Sequence, residues 1–164
     1  MISHEVPRAL LKQSRAFNDY DYAFAHLYRD TDFHRFYKES VALGRKVLID
    51  NSAFELGAGI FDSFGDIITD LKPTWYVVPD VRHDGPATIE SYERFVKTFP
   101  DLPGIAMCAI QGDTFEALAD CYKFMIGKTQ KIAIPFDSKG YDQTLKPWER
   151  RPAFLEKLSK MPFS

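Results

Sequence analysis

Acids and amides directly follow short apolar runs at several points of this chain. Residues 48–57 read LIDNSAFELG, so that Asp50, Asn51 and Ser52 come straight after a strand-like run. A carboxylate in such a position can transfer protons, and an amide can donate and accept hydrogen bonds. Asp, Asn and Ser also favour turns, because their side chains bond to nearby backbone groups. The segment therefore predicts either a turn or a chemical site, and the elements around it must decide.

Five short apolar runs alternate with amphipathic stretches along the chain. The runs predicted to be strands are residues 22–27, 46–49, 75–78, 104–110 and 131–134. Apolar residues recur at helical spacing over residues 33–41, 60–71, 86–99, 115–125 and 148–160. Apolar strands that alternate with helices are typical of a parallel sheet covered by helices. We predict an α/β fold of parallel β/α units, an incomplete TIM-barrel-like arrangement of about five of the usual eight units.

The composition predicts a single domain over residues 1–164. The chain is 45% hydrophobic and 15% aromatic, which is enough for one core. A closed eight-unit barrel usually needs roughly 200 residues or more. The formal net charge of −2 gives no overall basic footprint of the kind that marks tight nonspecific nucleic-acid binding, and it leaves local basic patches open.

Cysteine usage and hydropathy exclude several classes of protein. The two cysteines lie outside any CxxC pattern and the four histidines are scattered, so we expect no disulfide framework, no metal site and no cofactor. No apolar run approaches the roughly 18 residues of a membrane span. The N-terminus has no apolar core of a signal peptide. We expect a cytoplasmic protein without a membrane partner.

Polar residues lie at the carboxyl ends of the predicted strands. In chain order these residues are His26, Asp50–Ser52, Asp80, Gln111–Gly112 and 135–137. Ligands of parallel β/α folds bind beyond the carboxyl ends of the strands. A turn explains each of these ends singly, but the whole set on one rim favours a site.

Three motifs carry a resemblance to a known family. The segments DNSAF (residues 50–54), VVPD (77–80) and AIQGDTFEALADCYKFM (109–125) resemble successive motifs of the tRNA-guanine transglycosylase family. They are closer still to its phage and bacterial relatives that handle 7-deazaguanine bases in DNA. The similarity runs from about residue 22 to residue 137. It implies a β/α barrel and a base-exchange pentosyltransferase activity, in which a guanine in DNA or tRNA is replaced by a deazapurine through a covalent glycosyl intermediate.

The resemblance also implies a role for each matching residue. Asp50 matches the acid that contacts the base and shuttles protons, and is the implied catalytic residue. Phe54 matches the aromatic that stacks on the purine, which contributes roughly 1–3 kcal/mol. Asp80 matches the acid that reads the guanine-like edge, because a carboxylate accepts two parallel N–H bonds. Gln111 and Gly112 match the group that holds the exocyclic oxygen. The segment PFDS (135–138) departs from the glycine-rich pattern of the tRNA enzymes, which leaves the base selectivity open.

Each implied site residue has a structural alternative. For Asp50 the alternative is a turn cap, and for Phe54 it is packing in the core. For Asp80 it is a surface pair with Arg82, and for Gln111 it is a place in a loop without a ligand. The basic residues near the C-terminus either follow nucleic-acid phosphates or form a solvated helix face; they are Lys139, Lys146, Arg150, Arg151, Lys157 and Lys160.

Other polar residues favour structural roles. His26 has no matching acid or cysteine nearby in the sequence, so a structural histidine is expected there. Asp84 is as well placed to cap the helix that follows as to pair with His83. Cys108 lies within a predicted strand and favours the core.

Two parts of the family's machinery have no counterpart in this sequence. The family's nucleophilic aspartate lies on a late barrel strand and its zinc cluster lies later still, whereas this chain ends at KLSKMPFS. Covalent catalysis fails without the attacking group. Three hypotheses follow: a transglycosylase-like enzyme for guanine or 7-deazaguanine, a catalytically incomplete module that binds a base or docks on a partner, or a β/α domain of unrelated activity. Because five units leave sheet edges open, a homo-oligomer or a completing partner chain is also expected.

Overall fold

A five-stranded parallel sheet organises the computed structural model. The structure describes residues 1–56 and 61–162, apart from the side chains of Phe54 and Leu56. The strands are β1 (Asp21–Phe24), β2 (Val47–Asp50), β3 (Trp75–Val77), β4 (Ile105–Ala109) and β5 (Lys131–Ala133). They lie in the order in which they occur in the chain, and every neighbouring pair is parallel. The predicted α/β fold of parallel units is confirmed.

Helices connect the strands. They are α1 (Leu11–Ser14), α2 (Thr31–Ala42), α3 (Ala53–Leu56), α4 (Phe61–Leu71), α5 (Gly85–Thr98), α6 (Phe115–Ile126) and α7 (Pro147–Ser159). A sheet whose strands follow chain order, without a reversal, is the arrangement of a β/α barrel and not of a doubly wound sheet. The described residues form five consecutive strands of that kind, and because every neighbouring pair is parallel, their carboxyl ends lie on one side.

The two faces of the sheet have different neighbours. Alternate strand residues, such as Ile49 and Ile110, pack with helix residues such as Phe64 and Phe95 in the main hydrophobic cluster. The residues between them form a second cluster on the other face: Leu48, Trp75, Val77 and Ala109, with Tyr20, Tyr22, Met107 and Ala133 packed against them. Among the described residues, the helices therefore pack on one face, and the other face carries the second cluster.

Local sequence signals set the helix ends that frame the sheet. Asp30 accepts hydrogen bonds from the backbone N–H groups of the first turn of α2, and Asp84 accepts one from Ala87 N at 2.9 Å. These are N-caps, so the capping role predicted for Asp84 is confirmed. Gly44 has a φ of +72°, the left-handed conformation that commonly follows a helix, and it lies two residues after the end of α2.

The first strand is shorter than the sequence indicates. The apolar run predicts a strand to residue 27, but β1 ends at Phe24 and a 3₁₀ turn spans Ala25–Leu27. The backbone turns there because the N–H of His26 donates to Ser52 Oγ at 3.2 Å, outside the sheet ladder. His26 therefore lies in a turn beside the sheet and not at the end of a strand. Within the described parts of the chain, no helix is both long enough and apolar enough to span a bilayer.

Candidate functional site

A cavity opens at the carboxyl ends of the strands, on the face that the helices leave uncovered. Its volume is about 650 Å³, within the range of small-molecule sites. Its floor consists of apolar strand residues, namely Leu48, Val77, Met107, Ala109 and Ala133. Its polar wall includes Asp50, Asp80 and Gln111, so three residues predicted at one rim are brought together there.

Asp80 is held between two side-chain amides. Asn51 Nδ2 donates to Asp80 Oδ1 at 2.7 Å, and Gln111 Nε2 donates to Asp80 Oδ2 at 2.6 Å. Asn51 also donates to Val78 O at 2.9 Å. A carboxylate offers about four lone-pair sites, and these bonds use two of them. Asp80 therefore stays able to accept two further hydrogen bonds from a ligand in the cavity.

Gln111 has a fixed orientation. Its Oε1 accepts from the backbone N–H of His83 at 3.1 Å, while its Nε2 faces Asp80. One N–H of the amide is used by Asp80, and the second is left to donate. His83 has a φ of +64°, uncommon for a residue with a side chain, so the loop after β3 is shaped to bring this N–H to Gln111. The result is an N–H donor beside the Asp80 acceptors.

Asp50 lies on the same wall and accepts two hydrogen bonds of its own. Tyr22 OH donates to Asp50 Oδ2 at 2.9 Å, and Ser52 N donates to Asp50 Oδ1 at 2.7 Å. Burial raises the pKa of Asp50 above its usual value, these two hydrogen bonds lower it, and the negative charges of Asp80 and Glu55 raise it further. The net effect is a raised pKa. A carboxyl of this kind is suited to proton transfer, because it holds its proton at a higher pH than an exposed aspartate.

The turn that follows Asp50 and Asn51 is held by His26, which lies just after β1. Ser52 is fully buried and has a φ of +56°. His26 Nδ1 lies 2.9 Å from Ser52 Oγ, and the backbone N–H of His26 also donates to that oxygen. These contacts support the structural role predicted for His26, because they hold the strained turn in place.

Comparison of the chain with models of known protein families, with curated protein sequences and with solved structures finds no match. The geometry of the cavity must therefore carry the functional argument. Within residues 1–56 and 61–162, no group of three or more His, Cys, Asp or Glu side chains is arranged to hold a metal ion.

The other two predicted site residues are placed differently. Gly112 is not among the described residues that line the cavity; it packs against α6, where an added Cβ would lie 2.6 Å from Leu118 N. Its carbonyl accepts from Ser138 Oγ at 2.9 Å. The backbone of Phe54 lies in α3, directly after the turn, and its side chain, on which the predicted stacking depends, is outside the described part of the structure.

Sequence reasoning assigned no role to two residues that shape the site. Asn51 appeared only as a turn residue, yet it holds Asp80. Tyr22 appeared only as a strand residue, yet it holds Asp50. In the sheet Tyr22 pairs with Leu48. Leu48 and Asp50 are two residues apart on β2, so Tyr22 and Asp50 lie on the same face of the sheet.

The mouth of the cavity carries charge of both signs. Arg82, Asp137 and Arg151 line it together with the ring of Phe136. The Asp137 side chain is 60% exposed and lies 3.9 Å from Arg150 Nη1. The cavity thus has an apolar floor, a carboxylate and amide wall, and a mouth where cations and an aromatic ring face solvent.

The raised pKa of Asp50 makes a measurable prediction. In a ¹³C-labelled sample, the carboxyl carbon of Asp50 should report a pKa above the ordinary aspartate value of 3.8. The pKa of Asp142 should lie below that value, because its carboxylate accepts hydrogen bonds from the Thr144 hydroxyl and backbone N–H. The protonated form of Asp50 is favoured in the folded state. Its contribution to the free energy of unfolding is therefore greatest below pH 3.8 and declines as the pH rises through the raised pKa. An Asp50 pKa at or below that of an exposed aspartate would contradict the buried environment described for this carboxyl.

Proposed function

We propose that the cavity binds a guanine or 7-deazaguanine base and that the chain is a transglycosylase-like protein acting on such a base in DNA or tRNA. The observation that carries the proposal is the Asp80 and Gln111 pair. It presents carboxylate acceptors next to an amide donor on one wall, at 2.6 Å from each other. The edge of guanine presents N–H donors next to a carbonyl, which is the complementary set.

The rest of the cavity is compatible with a planar purine. The apolar floor formed by residues such as Val77 and Met107 accepts the faces of a ring without offering competing polar groups. The volume of about 650 Å³ accommodates a base with room for its sugar. The motif resemblance implies the same roles for Asp80 and Gln111.

Asp50 is the proposed acid and base of the reaction. Base exchange needs a proton delivered to the departing base and removed from the entering one. Asp50 is on the wall beside Asp80, and its raised pKa favours the protonated form needed for the first of these steps. Tyr22 OH and Ser52 N each donate to the Asp50 carboxyl, so its orientation is fixed before a ligand binds.

The second candidate is a base-binding or partner-docking module without turnover. The observation that favours it is that Asp50 and Asp80 each already accept two hydrogen bonds from the protein. A nucleophile needs a free, reactive oxygen. Asp137, the third carboxylate on the described wall, is at the solvent-exposed mouth. In this case a second copy of the chain or another protein would complete the reaction.

Two measurements on the full chain test the function. Calorimetric titration with the 7-deazaguanine bases preQ0 and preQ1 measures binding. Incorporation of labelled guanine into tRNA and into DNA measures exchange. Binding with exchange supports the enzyme, and binding without exchange supports the module. If neither base binds at millimolar concentration, the proposal is wrong.

A further inference from the structure

Two aromatic side chains, one at the cavity mouth and one on α7, face solvent. Phe136 is 82% exposed and Trp148 is 71% exposed. A cation lies over each ring: Arg151 Cζ is 5.6 Å from the centre of the Phe136 ring, and Lys146 Nζ is 5.5 Å from the Trp148 ring. A cation on one side of a ring leaves its other face able to stack on a ligand.

These four residues form one surface, which we term the α7 patch: Phe136, Lys146, Trp148 and Arg151. Trp148 and Arg151 are three residues apart on α7, so they are neighbours on one side of the helix. Arg151 joins them to Phe136 through its ring contact. Phe136 and Arg151 also line the mouth of the cavity, so the α7 patch begins where the cavity opens.

The loop that presents Phe136 is firmly anchored. Ser138 Oγ donates to Gly112 O at 2.9 Å, and Tyr141 OH donates to Pro135 O at 2.7 Å. The ring of Tyr141 is buried and packs 5.2 Å from the ring of Phe154. These contacts fix the residues on both sides of Phe136, which lowers the cost of ordering the loop when a ligand stacks on the ring.

The C-terminal segment, residues 131–164, carries a net positive charge, which attracts phosphate groups. Residues 131–164 contain seven Lys or Arg and four Asp or Glu, whereas the other residues contain fourteen and nineteen. A cationic region on an otherwise acidic chain attracts anions locally while the whole molecule does not. Some of this charge is already engaged, since Lys160 pairs with Glu156 and Arg150 Nε donates to Leu145 O. Lys146 and Arg151 of the α7 patch are the cations that lie beside exposed rings.

We propose that the α7 patch binds a single-stranded segment of nucleic acid, with bases stacked on Phe136 and Trp148 and phosphates contacting Lys146 and Arg151. Exposed aromatic faces interleaved with cations are the pattern by which single strands are bound without sequence readout. A duplex would not fit this surface equally well, because its bases are already stacked on one another. An acidic peptide would use the cations but not the ring faces.

The proposal rests on the proposed function in one respect, which is that the cavity receives a base from the same strand. The α7 patch then contacts the nucleotides that flank this base. The strand would enter past Phe136 and Arg151 at the mouth. This arrangement selects a base within an unpaired or flipped segment rather than a free base.

Binding of fluorescent oligomers of deoxythymidylate and uridylate to the full chain tests the α7 patch. These oligomers contain no guanine, so binding by the cavity does not contribute. Phe136→Ala should weaken binding of the preferred oligomer about 5- to 150-fold, the loss expected for one stacked base. Arg151→Gln should reduce the slope of log affinity against log salt by about 0.7, the value for one phosphate contact on a single strand.

Matched variants and an intrinsic signal make the result specific. Leu43→Ala, just after α2, and Lys123→Gln, on α6, remove an exposed apolar and an exposed cationic side chain away from α7, and both should bind like wild type. The chain has two tryptophans, and Trp75 is buried, so quenching of Trp148 emission reports stacking on the patch.

Each outcome decides for or against the patch. Equal affinity of wild type and Phe136→Ala, or equal binding of duplex DNA or of an acidic peptide, would overturn the proposal. Binding of the oligomers without binding of preQ0 or preQ1 would leave the patch standing and remove the proposed function of the cavity. The opposite pattern would remove the patch alone.

Discussion

Replacing Arg45 with methionine is expected to lower the free energy of unfolding by about 3–5 kcal/mol at pH 7. Asp21, the first residue of β1, has a side chain that is only 1% exposed. Arg45 Nε and Nη2 donate to its two oxygens at 2.9 and 3.2 Å, and Nη2 also donates to Asn18 O. Methionine fills a similar volume but leaves a buried carboxylate without its cation. The loss is large against the roughly 5–15 kcal/mol of a typical domain.

Denaturant unfolding of three variants distinguishes this cause from a general effect of losing an arginine. Arg35→Met, at an exposed position of α2, should change the free energy of unfolding by no more than about 0.5 kcal/mol. The double variant Asp21→Asn with Arg45→Met should recover part of the loss, because a neutral amide costs less to bury than a carboxylate. An Arg45→Met protein as stable as Arg35→Met would show that the pair does not support the fold.

The fold was predictable because its signals are local and repeated. Each strand is a short apolar run, and each helix carries its own periodicity and often its own cap, such as Asp84. The end of β1 was not predictable in the same way. The run continues in apolar residues to Leu27, but a hydrogen bond from His26 to Ser52, 26 residues away, turns the backbone out of the sheet. Local composition carries no information about that partner.

The site was predictable in position but not in its contacts. The rule that parallel strands end at a common rim was enough to place Asp50, Asp80 and Gln111 together. It did not reveal that Asn51 and Gln111 both bind Asp80, because those bonds depend on the distances between three neighbouring strands. Nor did the sequence reveal the packing constraint at Gly112, where an added Cβ would lie 2.6 Å from Leu118 N. The contact to a base that the QG motif implies for Gly112 stays a prediction.

The Asp80 carboxylate is the residue on which the proposed base recognition depends most. Both of its oxygens accept short hydrogen bonds from amides, at 2.7 Å from Asn51 and 2.6 Å from Gln111. Asp80→Asn would turn one of those acceptors into a donor. That donor would face an N–H of Asn51 or Gln111, and rotation of Gln111 to avoid it would release the backbone N–H of His83. The substitution therefore disturbs the donor and the acceptor that the base would need.

Asp80→Asn is expected to weaken binding of preQ0 and preQ1 about 30- to 1000-fold, corresponding to roughly 2–4 kcal/mol for a lost charge-assisted contact and a stranded donor. Asp84→Asn is the matched control: it makes the same chemical change four residues away, and asparagine caps a helix about as well as aspartate. Calorimetric titration of both variants and wild type, at a temperature where circular dichroism shows all three folded, measures the effect. If Asp80→Asn binds these bases as tightly as Asp84→Asn, Asp80 does not read the base, and the cavity must recognise its ligand through other groups.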